Sequence, residues 1–230
     1  MQVSVIIPVY NEGKKVLRDI TEACRFFRDR SADLELIVVD DGSRDDTLQV
    51  LEEARMKNYP DLLILSYPEN RGKGHAIRKG ILQASGEIVL FIDSGYCIPF
   101  EEVYHGVDLV HAGEADIAHG SRFLPDSHIT RKKGPLRRML SALFRKFISW
   151  YMQLSGDLTD TQCGLKIYRR DAARDLYRKS HTDGFMIDIE IIRMARQQGY
   201  RIMEFPVTWT SDPDSRLRIL PTFFRMFREL

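Results

Sequence analysis

Two adjacent carboxylates follow a short apolar run in the first quarter of the sequence. The run covers residues 34–39, and Asp40-Asp41-Gly42-Ser43 comes directly after it. Carboxylate oxygens at a strand end can accept hydrogen bonds from a nucleobase N–H and from a ribose hydroxyl. Asp, Gly and Ser are also common in turns and helix caps. On this segment alone, a nucleotide site and a plain turn before a helix are both open.

The elements around this segment alternate between strands and helices. Short apolar runs predict strands over residues 3–9, 34–39, 62–66, 87–92 and 115–119. Helical spacing of Val16, Leu17, Ile20, Cys24 and Phe27 predicts a first helix over residues 16–27. A second helix is predicted after a cap at Ser43 or Asp45, with Leu48, Leu51 and Ala54 inward. A third is predicted from about Gly74 to Ser85, with Gly86 as its terminating glycine. This order predicts an α/β fold with a mostly parallel, Rossmann-like sheet flanked by helices.

Polar residues follow several of these strands. The first is followed by Tyr10-Asn11-Glu12, and the fourth by Asp93-Ser94-Gly95. In open parallel sheets, ligands bind beyond the carboxyl ends of the strands. The polar groups are therefore predicted to converge on one edge, which is where we expect the functional site.

Composition limits the classes of function. The chain has 230 residues, of which 43% are hydrophobic, and its net charge of +1 gives no global field to recruit nucleic acid. Three scattered cysteines indicate reduced thiols in a cytosolic protein. No apolar run approaches the roughly 18 residues of a membrane span, and we expect no signal peptide.

The second half carries basic segments with apolar stripes. Residues 136–154 and 217–230 place leucine and phenylalanine at helical spacing among arginines and lysines. Basic amphipathic helices with aromatic residues suit an anionic lipid surface. The alternatives are that the stripes pack against the sheet or a second subunit, and that the charges form a solvated face.

Two motifs together resemble a known family. The segments Ile7–Glu12 and Val38–Thr47 are similar to those of family 2 glycosyltransferases of the GT-A fold, specifically the dolichyl- and polyprenyl-phosphate hexose synthases. The resemblance continues in order along nearly the whole chain, through Asn70–Ala76, Gly120-Ser121-Arg122, Asp160–Lys166, Asp188-Ile189-Glu190, Glu204–Trp209 and Asp214-Ser215-Arg216. It implies one glycosyltransferase domain over residues 1–230, with a nucleotide-binding half at 1–97 and an acceptor-binding half at 98–230 that carries the amphipathic helices.

One motif departs from the family pattern. The family usually has Asp-x-Asp after the fourth strand to hold Mg²⁺ or Mn²⁺, whereas this chain has Asp93-Ser94-Gly95. Asp93 alone is therefore the implied metal ligand, and diphosphate oxygens and water would complete the site. An inactive relative or metal-free binding is the alternative.

The resemblance also implies roles for individual residues. Catalytic roles fall to Asp93, Arg122, Asp160 and Gln162. The nucleotide sugar would contact Pro8, Tyr10, Glu12, Asp41, Lys73, Asp93, Ser94, Arg122 and Arg216. The acceptor phosphate would meet Arg131, Lys132 and Lys133.

The implied reaction moves a hexose from a UDP- or GDP-sugar to a polyprenyl or dolichyl phosphate, with inversion. A phosphate monoester is largely ionised at neutral pH, so the acceptor needs little help from a base. Transfer to a polysaccharide, or a binding protein that has lost catalysis, are the alternatives. We expect a peripheral protein at the cytoplasmic, inner face of a membrane, and a homo-oligomer stays open.

Overall fold

A seven-stranded sheet forms the centre of the molecule in the computed structural model, which describes residues 1–30, 32–131, 142–143, 146–148 and 158–211. Its strands are β1 (Gln2–Val9), β2 (Asp33–Asp40), β3 (Leu63–Ser66), β4 (Ile88–Ile92), β5 (Ile117–Ser121), β7 (Leu165–Arg169) and β8 (Ile202–Pro206). They lie in the order β3-β2-β1-β4-β7-β5-β8. A second, two-stranded sheet pairs β6 (His128–Arg131) with β9 (Thr208–Thr210).

The central sheet is mostly parallel, which confirms the predicted α/β fold. Strands β1 to β4 pair in parallel, and so do β5 and β8. The exception is β7, which lies antiparallel between β4 and β5. β7 comes from the half that follows residue 97, and it pairs with β4 from the half before it. One sheet therefore contains strands from both predicted halves.

Helices cover both faces of the sheet. They are α1 (Val16–Asp29), α2 (Thr47–Lys57), α3 (Lys73–Gln83), α4 (Val103–His111), α5 (Arg170–Lys179) and α6 (Ile187–Gln197), with a short 3₁₀ helix at Phe100–Glu102. On β1, Val5 and Ile7 pack with α1 and α4, whereas Ile6 packs on the other face with α3, α5 and α6. This alternation buries the strand on both faces, as expected for a doubly wound sheet.

Several local predictions are wrong. Gly86 does not terminate α3, because the helix ends at Gln83 and Ala84 is already extended. Gly86 is required for a different reason, since a Cβ there would lie 2.7 Å from the backbone nitrogen of Ser4. Leu48 is predicted inward but is exposed, and Leu17, one of the apolar residues that predict the first helix, is exposed as well. At the start of α2, Asp45 accepts the N–H of Thr47, whereas Ser43 bonds another segment.

The predicted amphipathic segments lie largely outside the described residues. Where residues 136–154 are described, Leu143 is exposed and Ile148 is buried against Met186 and Ile189. The segment 217–230 lies wholly outside. Within the described ranges, no helix has the length and apolar character that a membrane span requires.

Candidate active site

The carboxylate of Asp41 holds the loop between β3 and α3. Its Oδ1 accepts hydrogen bonds from the Tyr67 hydroxyl at 2.7 Å and from the Arg71 N–H at 2.8 Å. Its Oδ2 accepts from the Asn70 amide at 2.7 Å and from the Gly72 N–H at 2.9 Å. These four donors occupy both oxygens of a buried side chain. The predicted contact of Asp41 with base or ribose stays a prediction, and the structure adds this loop-holding role.

The segment after β1 is locked to the segment after β2. Asn11 adopts a left-handed φ of 56°, and its side-chain oxygen accepts the N–H of Arg44 at 2.7 Å. Its own N–H donates to the Ser43 hydroxyl at 2.8 Å, and the N–H of Glu12 donates to Thr47 Oγ1 at 2.9 Å. The ring of Tyr10 remains exposed at this edge. Pro8, Tyr10 and Glu12 therefore lie at one strand end beside Asp41, where a planar base could stack.

Lys73 opens α3 and pairs with Asp93 at the end of β4. The lysine Nζ lies 2.6 Å from Asp93 Oδ1. Burial works against the ammonium, but the charges of Asp93 and then Asp188 outweigh it and raise the pKa of Lys73. Lys73 thus remains a cation beside the carboxylate that was predicted to hold a metal.

Asp93 is also tied to the turn that precedes β7. Its N–H donates to the Gly164 carbonyl at 2.8 Å. A Cβ at Gly164 would lie 2.2 Å from Asp93 Oδ2, so only glycine fits there. Within the described residues, no group of three or more His, Cys, Asp or Glu side chains could hold a metal. The carboxylate of Asp93 at this edge fits a cation shared with substrate oxygens, because Mg²⁺ commonly takes one or two carboxylates plus phosphates.

Gly95 lies in a loop whose amides face a buried carboxylate. Gly95 and Tyr96 have φ values of 92° and 52°. The Gly95 N–H donates to Asp19 Oδ2 at 2.9 Å, and the Arg18 guanidinium lies 4.3 Å from the Tyr96 ring centroid. Burial, opposed by the Gly95 N–H and reinforced by Glu12, raises the pKa of Asp19 from 3.8 to about 7. Nothing in the sequence pattern indicated this group.

We expect Asp19→Asn to flatten the dependence of stability on pH. Unfolded aspartate ionises near pH 4, whereas folded Asp19 keeps its proton until about pH 7. Between these values the folded state binds more protons, so stability falls as pH rises. The full difference is on the order of 4 kcal/mol. Melting temperatures at pH 5 and pH 8 measure it.

The asparagine oxygen can still accept the Gly95 N–H, so the variant isolates the charge. The variant should therefore gain stability over the wild type at pH 8 and lose that advantage near pH 4. Parallel pH curves for the two proteins would show that Asp19 ionises normally.

Arg122 and Asp160 form a bidentate ion pair at the end of β5. Arg122 Nε lies 2.6 Å from Asp160 Oδ2, and Nη2 lies 2.8 Å from Oδ1. Asp160 is 1% exposed, and Arg122 offsets the cost of its burial and lowers its pKa. The Arg122 guanidinium also lies 5.5 Å from the Trp209 ring centroid. The contact of Arg122 with phosphate stays a prediction. The two bonds to Asp160 already fix the orientation of the guanidinium that would make this contact.

The turn that carries Asp160 is held by the carboxylate of Glu204. The N–H groups of Thr159 and Asp160 each donate to the Glu204 carboxylate at 2.7 Å. In the same turn, Cys163 is buried, and burial followed by Asp160 raises the pKa of its thiol to about 12. This thiol is part of the apolar core, and its raised pKa makes it a poor nucleophile. The sequence did not indicate that Glu204 holds this turn, although Glu204 begins the motif Glu204–Trp209.

The structure shows fewer contacts for the remaining predicted site residues, and some of these residues lie outside the described ranges. Gln162 follows Asp160, and its amide nitrogen is buried without an acceptor among the residues that the structure describes. Ser94 is half-buried between Asp93 and Gly95. Arg131 ends β6. The predicted acceptor residues Lys132 and Lys133 lie outside the described residues, as does Arg216.

Comparisons with known proteins agree with this geometry. A family model described as "Glycosyl transferase family 2" matches residues 4–177. The dolichyl-phosphate beta-glucosyltransferase of Saccharomyces cerevisiae is 30% identical, and the match covers 99% of this chain and 72% of the yeast protein. The Homo sapiens protein of the same name is 31% identical, and the match covers 100% of this chain and 74% of the human protein. A similar fold occurs in the Mycobacterium tuberculosis glucosyl-3-phosphoglycerate synthase, which was crystallised with Mn²⁺, UDP and phosphoglyceric acid. The TM-score is 0.74 and the sequence identity is 22%, and the match covers 99% of this chain and 75% of that one. The predicted GT-A fold is confirmed.

Proposed function

Because this chain belongs to glycosyl transferase family 2 and is a glycosyltransferase, we propose that it transfers glucose from UDP-glucose to a polyprenyl phosphate such as dolichyl phosphate, with inversion at the anomeric carbon. The acceptor and the sugar are those in the names of its relatives from yeast and human. The choice of UDP over GDP is supported by the UDP bound to the structural neighbour.

One observation supports the chemistry most directly. Lys73 and Arg122 are two partly buried cations that act on the same carboxylate, since Asp93 pairs with Lys73 and also contributes to the raised pKa of Arg122. Burial opposes the Arg122 charge, and Asp160 contributes most to keeping it. Two fixed cations at the carboxyl ends of the sheet can stabilise negative charge on a departing diphosphate.

The mechanism needs positioning more than proton transfer. The acceptor phosphate is already ionised near neutral pH, so its oxygen can attack without a general base. Pro8, Tyr10 and Glu12 would bind the base and ribose, with Asp41 behind them. Asp160 and Gln162 would orient the sugar or the acceptor. Holding the two reactants in line is worth several kcal/mol in such reactions.

A divalent cation, Mg²⁺ or Mn²⁺, would be held by Asp93 together with diphosphate oxygens, where it would neutralise charge on the leaving group. The same carboxylate bonds Lys73 at 2.6 Å. Lys73 and the cation therefore compete for Asp93, which predicts weak metal affinity.

We expect Gly95→Asp to bind Mn²⁺ more tightly and to be less stable. The added carboxylate restores the second ligand, but the φ of 92° at this position strains any side chain. Such strain costs about 1–3 kcal/mol. Mn²⁺ affinity in the presence of UDP, measured by electron paramagnetic resonance, and thermal unfolding report the two effects.

Gly95→Ala is the matched control, because it introduces the same strain without a carboxylate. It should lose stability like Gly95→Asp and leave Mn²⁺ affinity unchanged. Equal Mn²⁺ affinity in all three proteins would mean that this loop does not face the cation.

The lipid nature of the proposed acceptor and the pattern of charged residues both support membrane association. Two exposed apolar side chains, Phe123 and Ile129, lie in the region that follows β5, and the Phe123 ring centroid is 5.7 Å from the Arg122 guanidinium. The basic stripes at 136–154 and 217–230 add to this pattern in the sequence. We propose peripheral binding at the cytoplasmic leaflet, where anionic lipids attract basic segments.

Transfer to dolichyl phosphate embedded in vesicles tests the function and its location together. We expect labelled glucose to pass from UDP-glucose to the lipid, and faster on phosphatidylserine vesicles than on neutral ones. Each basic residue near an anionic surface contributes roughly 1 kcal/mol, and salt screens that attraction. High salt should therefore slow transfer without abolishing it.

Vesicles without dolichyl phosphate are the control and should give only slow donor hydrolysis. Transfer that requires an oligosaccharide instead would contradict the lipid acceptor. Binding of UDP-glucose with neither transfer nor hydrolysis would identify a catalytically inactive relative.

A further inference from the structure

A fully buried ion pair lies beneath the site. Lys166 on β7 and Asp188 on α6 have side chains that are 0% and 4% exposed, and their charged atoms are 2.9 Å apart. Lysine is almost never buried to this extent without a partner. A buried ion pair is weak evidence for stability, because apolar residues of similar volume often stabilise a core equally well. Stability alone therefore does not account for these two charges.

Lys166 fixes the turn over residues 160–164. Its ammonium donates to the Cys163 carbonyl at 2.8 Å. The same turn carries Asp160, which orients the Arg122 guanidinium, and Gly164, whose carbonyl accepts the Asp93 N–H. A shift of the turn would consequently move both Arg122 and Asp93.

Asp188 acts on two ammonium groups. It pairs with Lys166, and its charge also acts on Lys73. Both ammonium groups lie near the Phe91 ring, with Nζ atoms 5.6 Å from its centroid for Lys73 and 5.4 Å for Lys166. The charge of Asp188 favours the ammonium form of Lys73, which is the form that pairs with Asp93.

We propose that Lys166 and Asp188 are positioning residues for glycosyl transfer, which together hold Arg122, Lys73 and Asp93 in their relative geometry. Neither touches substrate in this proposal, which rests on the proposed function. Their effect passes through the 160–164 turn and through Lys73. Displacements of about 1 Å in a positioned group can cost on the order of a hundredfold in rate.

The double variant Lys166→Met/Asp188→Leu tests this role, because it removes both charges and leaves neither unpaired. We expect its melting temperature to stay near that of the wild type. Its kcat for glucosyl transfer to dolichyl phosphate should fall at least tenfold, while the KM for UDP-glucose changes less than threefold. The exposed pair Lys179–Asp175, with charged atoms 2.7 Å apart, supplies the control Lys179→Met/Asp175→Leu, which should keep wild-type kinetics.

Asp188→Asn provides a second measurement should the double variant fail to fold. It keeps an oxygen for Lys166 but removes the charge that acts on Lys73, so kcat should again fall at constant KM. Wild-type kcat in either folded variant would overturn the positioning role. Absence of transfer by the wild type would instead contradict the proposed function, which separates the two failures.

Discussion

Arg122→Met is expected to reduce glucosyl transfer by about 10²–10³-fold, the usual cost of removing one charge-stabilising donor. The same change leaves the Asp160 carboxyl, which is 1% exposed, without the partner that offsets the cost of its burial. Breaking a buried ion pair in this way costs about 3–5 kcal/mol of unfolding free energy. Activity per folded molecule, and chemical denaturation, separate the two effects.

Two further variants sharpen this result. Arg122→Lys keeps a positive charge but cannot form the two parallel bonds to Asp160, so it should fall between the wild type and methionine. Arg169→Met removes an arginine from a half-exposed pair with Asp116 at 3.3 Å, and should cost less than about 1 kcal/mol. If Arg122→Met is stable and fully active, Arg122 contacts no charged reaction centre.

Asp41→Ala is expected to lower the unfolding free energy by several kcal/mol and to abolish measurable transfer. The substitution leaves the Gly72 N–H, the Arg71 N–H and two side-chain donors without their acceptor. The bond from Gly72 is buried and the other three are partly buried, and a fully buried donor left unpaired costs about 1–3 kcal/mol. The loop that leads into Lys73 would lose its anchor, so the Lys73–Asp93 pair would be displaced as well.

Tyr67→Phe is the matched control, since it removes only one of the four donors and no acceptor. It should cost about 1 kcal/mol and keep transfer. UDP affinity by calorimetry distinguishes the two roles of Asp41. An Asp41→Ala protein with wild-type stability and weakened UDP binding would show that the carboxylate contacts the nucleotide and does not hold the loop.

The parallel part of the fold was accessible from the sequence, and so was the edge of the sheet at which the candidate site residues lie. Strands buried on both faces appear as continuous apolar runs, and β1, β2 and β4 were found on that basis. The rule that ligands bind beyond the carboxyl ends of strands then brought Glu12, Asp41 and Asp93 to one edge. The motifs around Arg122 and Asp160 added the second half of the site.

The contacts that connect these residues were not accessible. Periodicity reports which side chains are buried, but it does not report which strand is the neighbour, so the place of β7 was missed. The Lys73–Asp93 pair joins a helix start to a strand end far away in sequence. The raised pKa of Asp19 depends on its burial where α1 packs against the Gly95 loop, a contact that helical spacing does not report.

The position of β7 has a consequence for how the protein acquires its structure. During synthesis, β1 to β4 can pair with their parallel neighbours early, but one edge of β4 stays open until residues 165–169 emerge. That edge belongs to an apolar strand, Ile88–Ile92, and open edges of this kind promote association between chains. Its closure by β7 also brings Gly164 against Asp93, so the pairing that covers this edge of β4 also fixes the position of Asp93.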